Sequence, residues 1–295
     1  MAEPNMARRN MTEQLGLDQM PKPLRAVTPA KVDSFDSCPR KFRFTYIDRP
    51  PPPRGAPWAH TGIGSAVHNA LKALWDLPVA VRGPDAALKE LRGLWPTVGF
   101  RDQTQRQRSL EVVSGWLSSY VETMDLTDQP RGIERTVGAP YGDLSISGRV
   151  DRVDEISGPD GPELVVIDYK TGRAVPTEDD ARSSMQLALY AVAARRTFRT
   201  PCRRVELHHI PSGVIAAAEY TDETLHRQLR RVAYTADDID TAKQRLAAGV
   251  PADEAYPARP GPACGHCDFR ASCPEGKAAA PARDPWFAVP EGDPR

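Results

Sequence analysis

One strand-length stretch constrains the folds open to this chain. Glu163-Leu164-Val165-Val166-Ile167-Asp168-Tyr169-Lys170 reads as a β-strand, and its apolar run places it at the centre of a sheet. Side chains alternate faces along a strand, so Asp168 and Lys170 point the same way as Val166 and Leu164. Burying a carboxylate and an amine there is costly unless they pair or bind a metal. Upstream, Leu144 to Ile156 alternates and is rich in β-branched residues, and Ser157 to Pro162 is turn chemistry. The two strands make a hairpin, and Asp151 then faces Asp168 across the ladder.

Two adjacent carboxylates repel, and a divalent cation removes that repulsion. Hard oxygen donors suit Mg²⁺ or Mn²⁺. Such an ion polarises a phosphoryl oxygen and acidifies a bound water. Lys170 would orient that water and offset developing negative charge. The chemistry these residues point to is phosphodiester hydrolysis. The plainer alternative is an exposed hairpin carrying a surface Asp–Lys pair.

The rest of the chain reads as an α/β protein. Thr28-Pro29 opens a helix carrying Val32, Phe35, Cys38, Phe42 and Tyr46, which Pro50 to Pro53 ends. Gly62 to Asp76 is a second helix, with 84–95 and 103–124 as further ones. Ile133 to Val137 is a strand, and Glu134 offers a third carboxylate. A helix runs from 177 or 178 to about Arg196, and Gln186 and Tyr190 share one of its faces. Two strands, Val205 to Ile210 and Val214 to Tyr220, precede a long helix from about Asp222 to Ala248. His68 follows Gly64 by four residues, a spacing that lets a helix approach a sheet closely. Residues 1–24 and 277–295 are expected to be disordered tails. Between them the reading is one domain over 25–276, with a helical part at about 28–125, a core at about 130–250 and a Cys-rich segment at 257–276.

Five cysteines are an odd number, which argues against a disulfide framework. Cys264, Cys267 and Cys273 form C-x₂-C-x₅-C and need a fourth ligand. Cys38, far upstream, can supply it. Four thiolates suit a [4Fe–4S] cluster or a structural zinc, with His266 as an alternative zinc ligand. Cys202 reads as a buried bystander.

Charge and hydropathy bound the partners. Lys plus Arg and Asp plus Glu both number 39, so only local patches could attract nucleic acid. Arg40, Lys41, Arg43 and Arg149 are the candidates beside the motifs, and Phe42, Phe44, Tyr46 and Trp58 could stack on single-stranded bases. The longest uncharged apolar run, around 188–194, is far short of the roughly 20 residues of a membrane helix. Residues 1–20 lack the apolar core of a secretory signal, so the expected compartment is the cytoplasm.

Taken in order, Cys38 to Phe42, Gly64 to His68, Gly148 to Asp154, Asp168 to Gly172, Gln186 to Tyr190 and the terminal cysteines resemble the PD-(D/E)XK nuclease superfamily, in its RecB-like iron–sulfur branch. Similar domains occur in AddB and in CRISPR-associated RecB-like nucleases. The resemblance implies a restriction-endonuclease-like core, a mixed sheet flanked by helices, with a helical N-terminal part and an iron–sulfur clasp. It implies Mg²⁺ or Mn²⁺ held by His68, Asp151, Asp168 and the Tyr169 backbone carbonyl, with Glu134 as a further candidate. Asp151, Asp168, Lys170, Gln186 and Tyr190 would be catalytic, and Cys38, Cys264, Cys267 and Cys273 would hold [4Fe–4S]. The implied activity is DNA hydrolysis, as an exonuclease on single-stranded ends in repair or recombination. No P-loop is present, so unwinding would fall to a helicase or repair partner. A non-catalytic nucleic-acid-binding or assembly module on the same fold is the alternative.

Overall fold

The computed structural model describes residues 24–291. In chain order the strands are β1 (Arg25–Val27), β2 (Gly132–Tyr141), β3 (Leu144–Gly158), β4 (Gly161–Lys170), β5 (Cys202–His209) and β6 (Val214–Glu219). The helices are α1 (Pro29–Ser37), α2 (Pro39–Tyr46), α3 (Ala59–Asp76), α4 (Pro84–Leu94), α5 (Gln103–Glu122), α6 (Glu178–Ser183), α7 (Met185–Phe198), α8 (Asp222–Ala247), α9 (Ala252–Ala255) and α10 (Pro274–Ala279).

The strands make one mixed sheet in the order β1-β3-β4-β5-β6, with β2 on the other edge of β3. The anticipated hairpin is present: β3 and β4 run antiparallel from Gly158↔Gly161 to Arg152↔Ile167. β4 pairs with β5 in parallel, which places it inside the sheet. β1 runs parallel to β3 at residues 144–146. β2 holds one edge of β3 over residues 144–153, and β1 and β4 share the other edge in succession. Residues 147–151 lie between them, with no strand partner on that edge among the described residues. This split in the sheet positions the site.

Alternation along β4 divides the core. Leu164 and Val166 pack with Leu187, Ala188 and Ala191 of α7, whose small side chains let that helix lie close to the strands. Val165, Ile167 and Tyr169 face the opposite way, against Val67 and Leu71 of α3 and Leu117 of α5. The mixed sheet flanked by helices is the expected layered arrangement.

Four expectations need correction. The helix opening at Thr28 is two helices, because Pro39 forces the preceding residue out of the helical region. Cys38 is extended, at φ −166° and ψ 110°. The helix expected over 177–196 is likewise broken, and Ser184 caps α7 by accepting from Leu187 N at 3.2 Å. β1 carries no pattern a three-residue strand could show, and was not anticipated. The tail expected to be disordered from 277 is packed through 291: Val289 is buried and Trp286 lies against the α3–α5 core. The other expected tail falls, but for Leu24, outside the described residues, as do 292–295. No helix among the described residues is long and apolar enough to cross a membrane.

Candidate active site and cysteine cavity

The site forms where β3 and β4 part. Their ladder ends at Arg152↔Ile167, so the next pair, Asp151 and Asp168, is splayed. Asp151 bridges the gap, its Oδ2 accepting from Tyr169 N at 2.9 Å. His68 Nδ1 lies 3.4 Å from the same oxygen. His68 reaches it because α3 runs close to the end of β4: a Cβ on Gly64 would sit 3.1 Å from Thr171 Oγ1. Glu134 stands opposite Asp151 in the β2–β3 register, between Ile133↔Arg152 and Arg135↔Val150. Its φ of +47° is left-handed, an uncommon and costly conformation for a residue with a side chain. His68, Glu134 and Asp151 each offer a ligand atom, all within 4.8 Å of one another.

Asp168 adjoins this trio. It is only 4% exposed, and its Oδ1 accepts from Gln186 Nε2 at 2.9 Å. Lys170 Nζ is 2.5 Å from its Oδ2. Gln186 Nε2 also donates to Tyr190 Oη at 3.3 Å. The Tyr190 ring fills the space over Gly148, where a Cβ would lie 2.4 Å from Cε1. Only glycine at 148 lets Tyr190 and Gln186 close on Asp168. Tyr169 contributes its backbone between Asp168 and Lys170, while its ring is buried on the opposite face, 5.7 Å from the His68 ring. A cavity of about 350 Å³ opens over the trio, lined also by Ser65, Asn69 and Arg149. A cavity of about 390 Å³ between α2 and α8 contains none of these residues.

The electrostatics ask for a cation. Burial, with Asp151 adding repulsion, raises the Asp168 pKa above its ordinary 3.8, although Lys170 and His68 work against this. Burial alone would lower His68, but its hydrogen bond to Asp151 and the charges of Asp151, Asp168 and Glu134 outweigh that and raise it above 6.5. An imidazole with clustered carboxylates is a donor set suited to Mg²⁺ or Mn²⁺. A metal needs neutral imidazole, whereas the raised pKa keeps His68 protonated at higher pH than usual. Mn²⁺ affinity is therefore expected to rise as pH climbs through the range above 6.5, and isothermal titration at several pH values checks this. His68→Ala should flatten that dependence.

The cysteines are also brought together. Cys38, Cys264, Cys267 and Cys273 line one cavity of about 120 Å³, with Lys41, His266 and Phe269. Cys38 Sγ accepts from Arg259 N at 3.5 Å, and Cys273 Sγ from Gly276 N at 3.3 Å. Among the described residues no three of these sulfurs lie within 4.8 Å of one another. Cys202 is fully buried in the sheet core, apart from the rest.

Of the four basic residues expected at nucleic acid, two are not available to it. Arg40 and Arg43 are 4% and 7% exposed. Arg40 pairs with Glu275 at 2.5 Å and Arg43 with Asp253 at 2.8 Å, so both tie α2 to the C-terminal segments. Phe42 and Phe44 are buried as well. Arg149 is 71% exposed and pairs with Glu134 at 2.8 Å on the rim of the cavity over the trio. Ser65 and Asn69 were missed, although both are one residue from the Gly64–His68 pair, on the flank of the same helical face.

A model of the PD-(D/E)XK nuclease superfamily matches residues 26–274. No curated protein matches the chain. A crystal structure from Eubacterium rectale described as a "putative exonuclease" is similar over 57% of this chain and 76% of that one, at 13% identity and a TM-score of 0.29.

Proposed function

Because the chain belongs to the PD-(D/E)XK nuclease superfamily, we propose that it is a metal-dependent deoxyribonuclease, acting as an exonuclease on single-stranded ends in DNA repair or recombination. The observation that carries this is the His68–Glu134–Asp151 trio beside the Asp168–Lys170 pair, at the split edge of β3. His68, Asp151 and Asp168, with the Tyr169 carbonyl and Glu134, would hold Mg²⁺ or Mn²⁺. That ion would supply Lewis-acid activation of the phosphoryl oxygen and of water.

The chain's own groups do the rest. Lys170 Nζ, anchored on Asp168 and 40% exposed, orients the attacking water and meets the negative charge that develops on phosphorus-bound oxygen. A P–O bond forms to the water oxygen as the bond to the nucleoside oxygen breaks; the attacking water gives up a proton to solvent, and the departing oxygen takes one from solvent. Gln186 holds Asp168 in place, and Tyr190 holds Gln186. Arg149, at the rim, neutralises a substrate phosphate.

Cys38, Cys264, Cys267 and Cys273 would hold a [4Fe–4S] cluster as a structural clasp. One feature supports this: all four cysteines, from opposite ends of the chain, line one cavity. Any unwinding is left to a helicase or repair partner.

The test is cleavage of labelled linear and circular single-stranded DNA and of duplex, with Mg²⁺ or Mn²⁺ and with chelator. The linear single strand should be degraded progressively and the circle spared, with no activity in chelator. Cleavage that persists in chelator, or no cleavage of any substrate by iron-replete protein, would overturn the reading. Cutting of the circle would replace exonuclease by endonuclease.

A further inference from the structure

A second cavity, of about 330 Å³, lies next to the metal cavity along α3. His60, Trp116, Thr171, Arg173 and Pro290 line it. The two cavities meet at the contact between Gly64 and Thr171, the residue that follows Lys170. His60 precedes His68 by eight residues on one helix, so the two stand about 12 Å apart at 1.5 Å per residue.

The walls suit a flat ring with a charged tail. Trp116 and His60 are half-buried aromatic rings, and Pro211, Ala288 and Pro290 add apolar surface. His60 Nδ1 is buried with no hydrogen-bond partner among the described residues. Burial, then the charges of His266 and Arg173, lower the His60 pKa, which keeps the ring neutral. Arg173 stands exposed at the rim, steadied by donating to Phe287 O at 3.1 Å. The loop beneath is fixed: His209 Nε2 donates to Gly172 O at 2.7 Å, and its Nδ1 is 2.7 Å from Ser212 Oγ.

We propose that this cavity is a nucleobase subsite. It takes one unpaired base of the substrate strand against the lining rings of Trp116 and His60, with Arg173 on the neighbouring phosphate. The inference rests on the nuclease reading and gives it a reason for single-strand preference. Stacking on aromatic rings is open to any base, but a base inside a duplex stack cannot enter.

The test is fluorescence anisotropy of a labelled 12-nucleotide oligothymidylate bound to the full chain. Lys170→Ala serves as the background so that the strand stays intact. A series of oligonucleotides, each with one abasic position, scans the strand. One abasic position should weaken binding about 5- to 30-fold. His60→Ala and Trp116→Ala should weaken the intact strand by a similar factor and become indifferent to that position. Arg173→Gln should lower the slope of log affinity against log salt by about one. A flat abasic profile in a chain that binds, or parental binding by a folded His60→Ala variant, would overturn the subsite and leave the nuclease standing. A wild-type chain that neither binds nor cleaves any strand would overturn both.

Discussion

Lys170→Ala should lower DNA cleavage by about 10²- to 10³-fold, the loss that follows removal of one preorganised donor aimed at developing charge. Among the described residues, the nearby guanidinium groups are already paired. Arg149 pairs with Glu134, and Arg152 pairs with Asp154 at 2.5 Å. The measurement is the single-turnover rate on a labelled single strand with saturating Mn²⁺. A rate within tenfold of wild type would remove Lys170 from the chemistry.

The same variant has a second signature. Asp168 is buried and its pKa already stands above the ordinary value. Without Lys170 it rises further, while Gln186 still donates to Oδ1. A raised folded-state pKa means that the native state binds the proton more tightly than the unfolded chain. Stability therefore falls as pH climbs from the unfolded pKa to the folded one, and is level above it. The variant widens that interval. Metal-free Lys170→Ala should lose more thermal stability than wild type between mildly acidic and neutral pH, with little difference in acid.

The second large effect is expected at Cys273. Cys273→Ala should lose iron and acid-labile sulfide together, turn colourless, and melt roughly 10–20 °C lower. Cys38 and Cys264 are 226 residues apart, and a link that closes so long a loop contributes about 5 kcal/mol in the chain-entropy model. Arg40–Glu275 and Arg43–Asp253 reinforce the same junction. They remain in the variant, so it should still fold at low temperature. Cys202→Ala, in the core, should keep its full metal content. Iron analysis with differential scanning calorimetry reads both results. Zinc in place of iron in the wild type would replace the cluster by a zinc clasp, and unchanged metal and stability in Cys273→Ala would end the clasp altogether.

Much of the site was legible because strand alternation is a strict code. The placement of Asp168 and Lys170 on one face, and of Asp151 opposite Asp168, follows from counting residues along β3 and β4. His68 and Gly64 follow from helical spacing. What the sequence hid depends on contacts far along the chain. Arg40, Lys41 and Arg43 look like one basic patch, yet Asp253 and Glu275, more than two hundred residues later, bury two of the three. The positive φ of Glu134 has no signature in the neighbouring residues. His60 and Arg173 carry no motif and gain meaning only when α3 meets the loop after Lys170. Two helix breaks were legible in principle, since Pro39 and Ser184 are recognised stop and cap residues, but apolar periodicity ran across both. The packing of Trp286 and Val289 was masked by an Ala- and Pro-rich composition.

The cavity shared by Cys38 and the later trio also sets a timetable for synthesis. A ribosome adds about 5–20 residues per second, so Cys38 emerges about 11–45 s before Cys264. All six strands precede the trio in the chain, so the sheet and its acidic edge can assemble while the first thiol still waits. A group held by all four cysteines, as proposed, can be bound only late in synthesis, after every described strand and just ahead of the segment that carries Trp286 and Val289 onto the core.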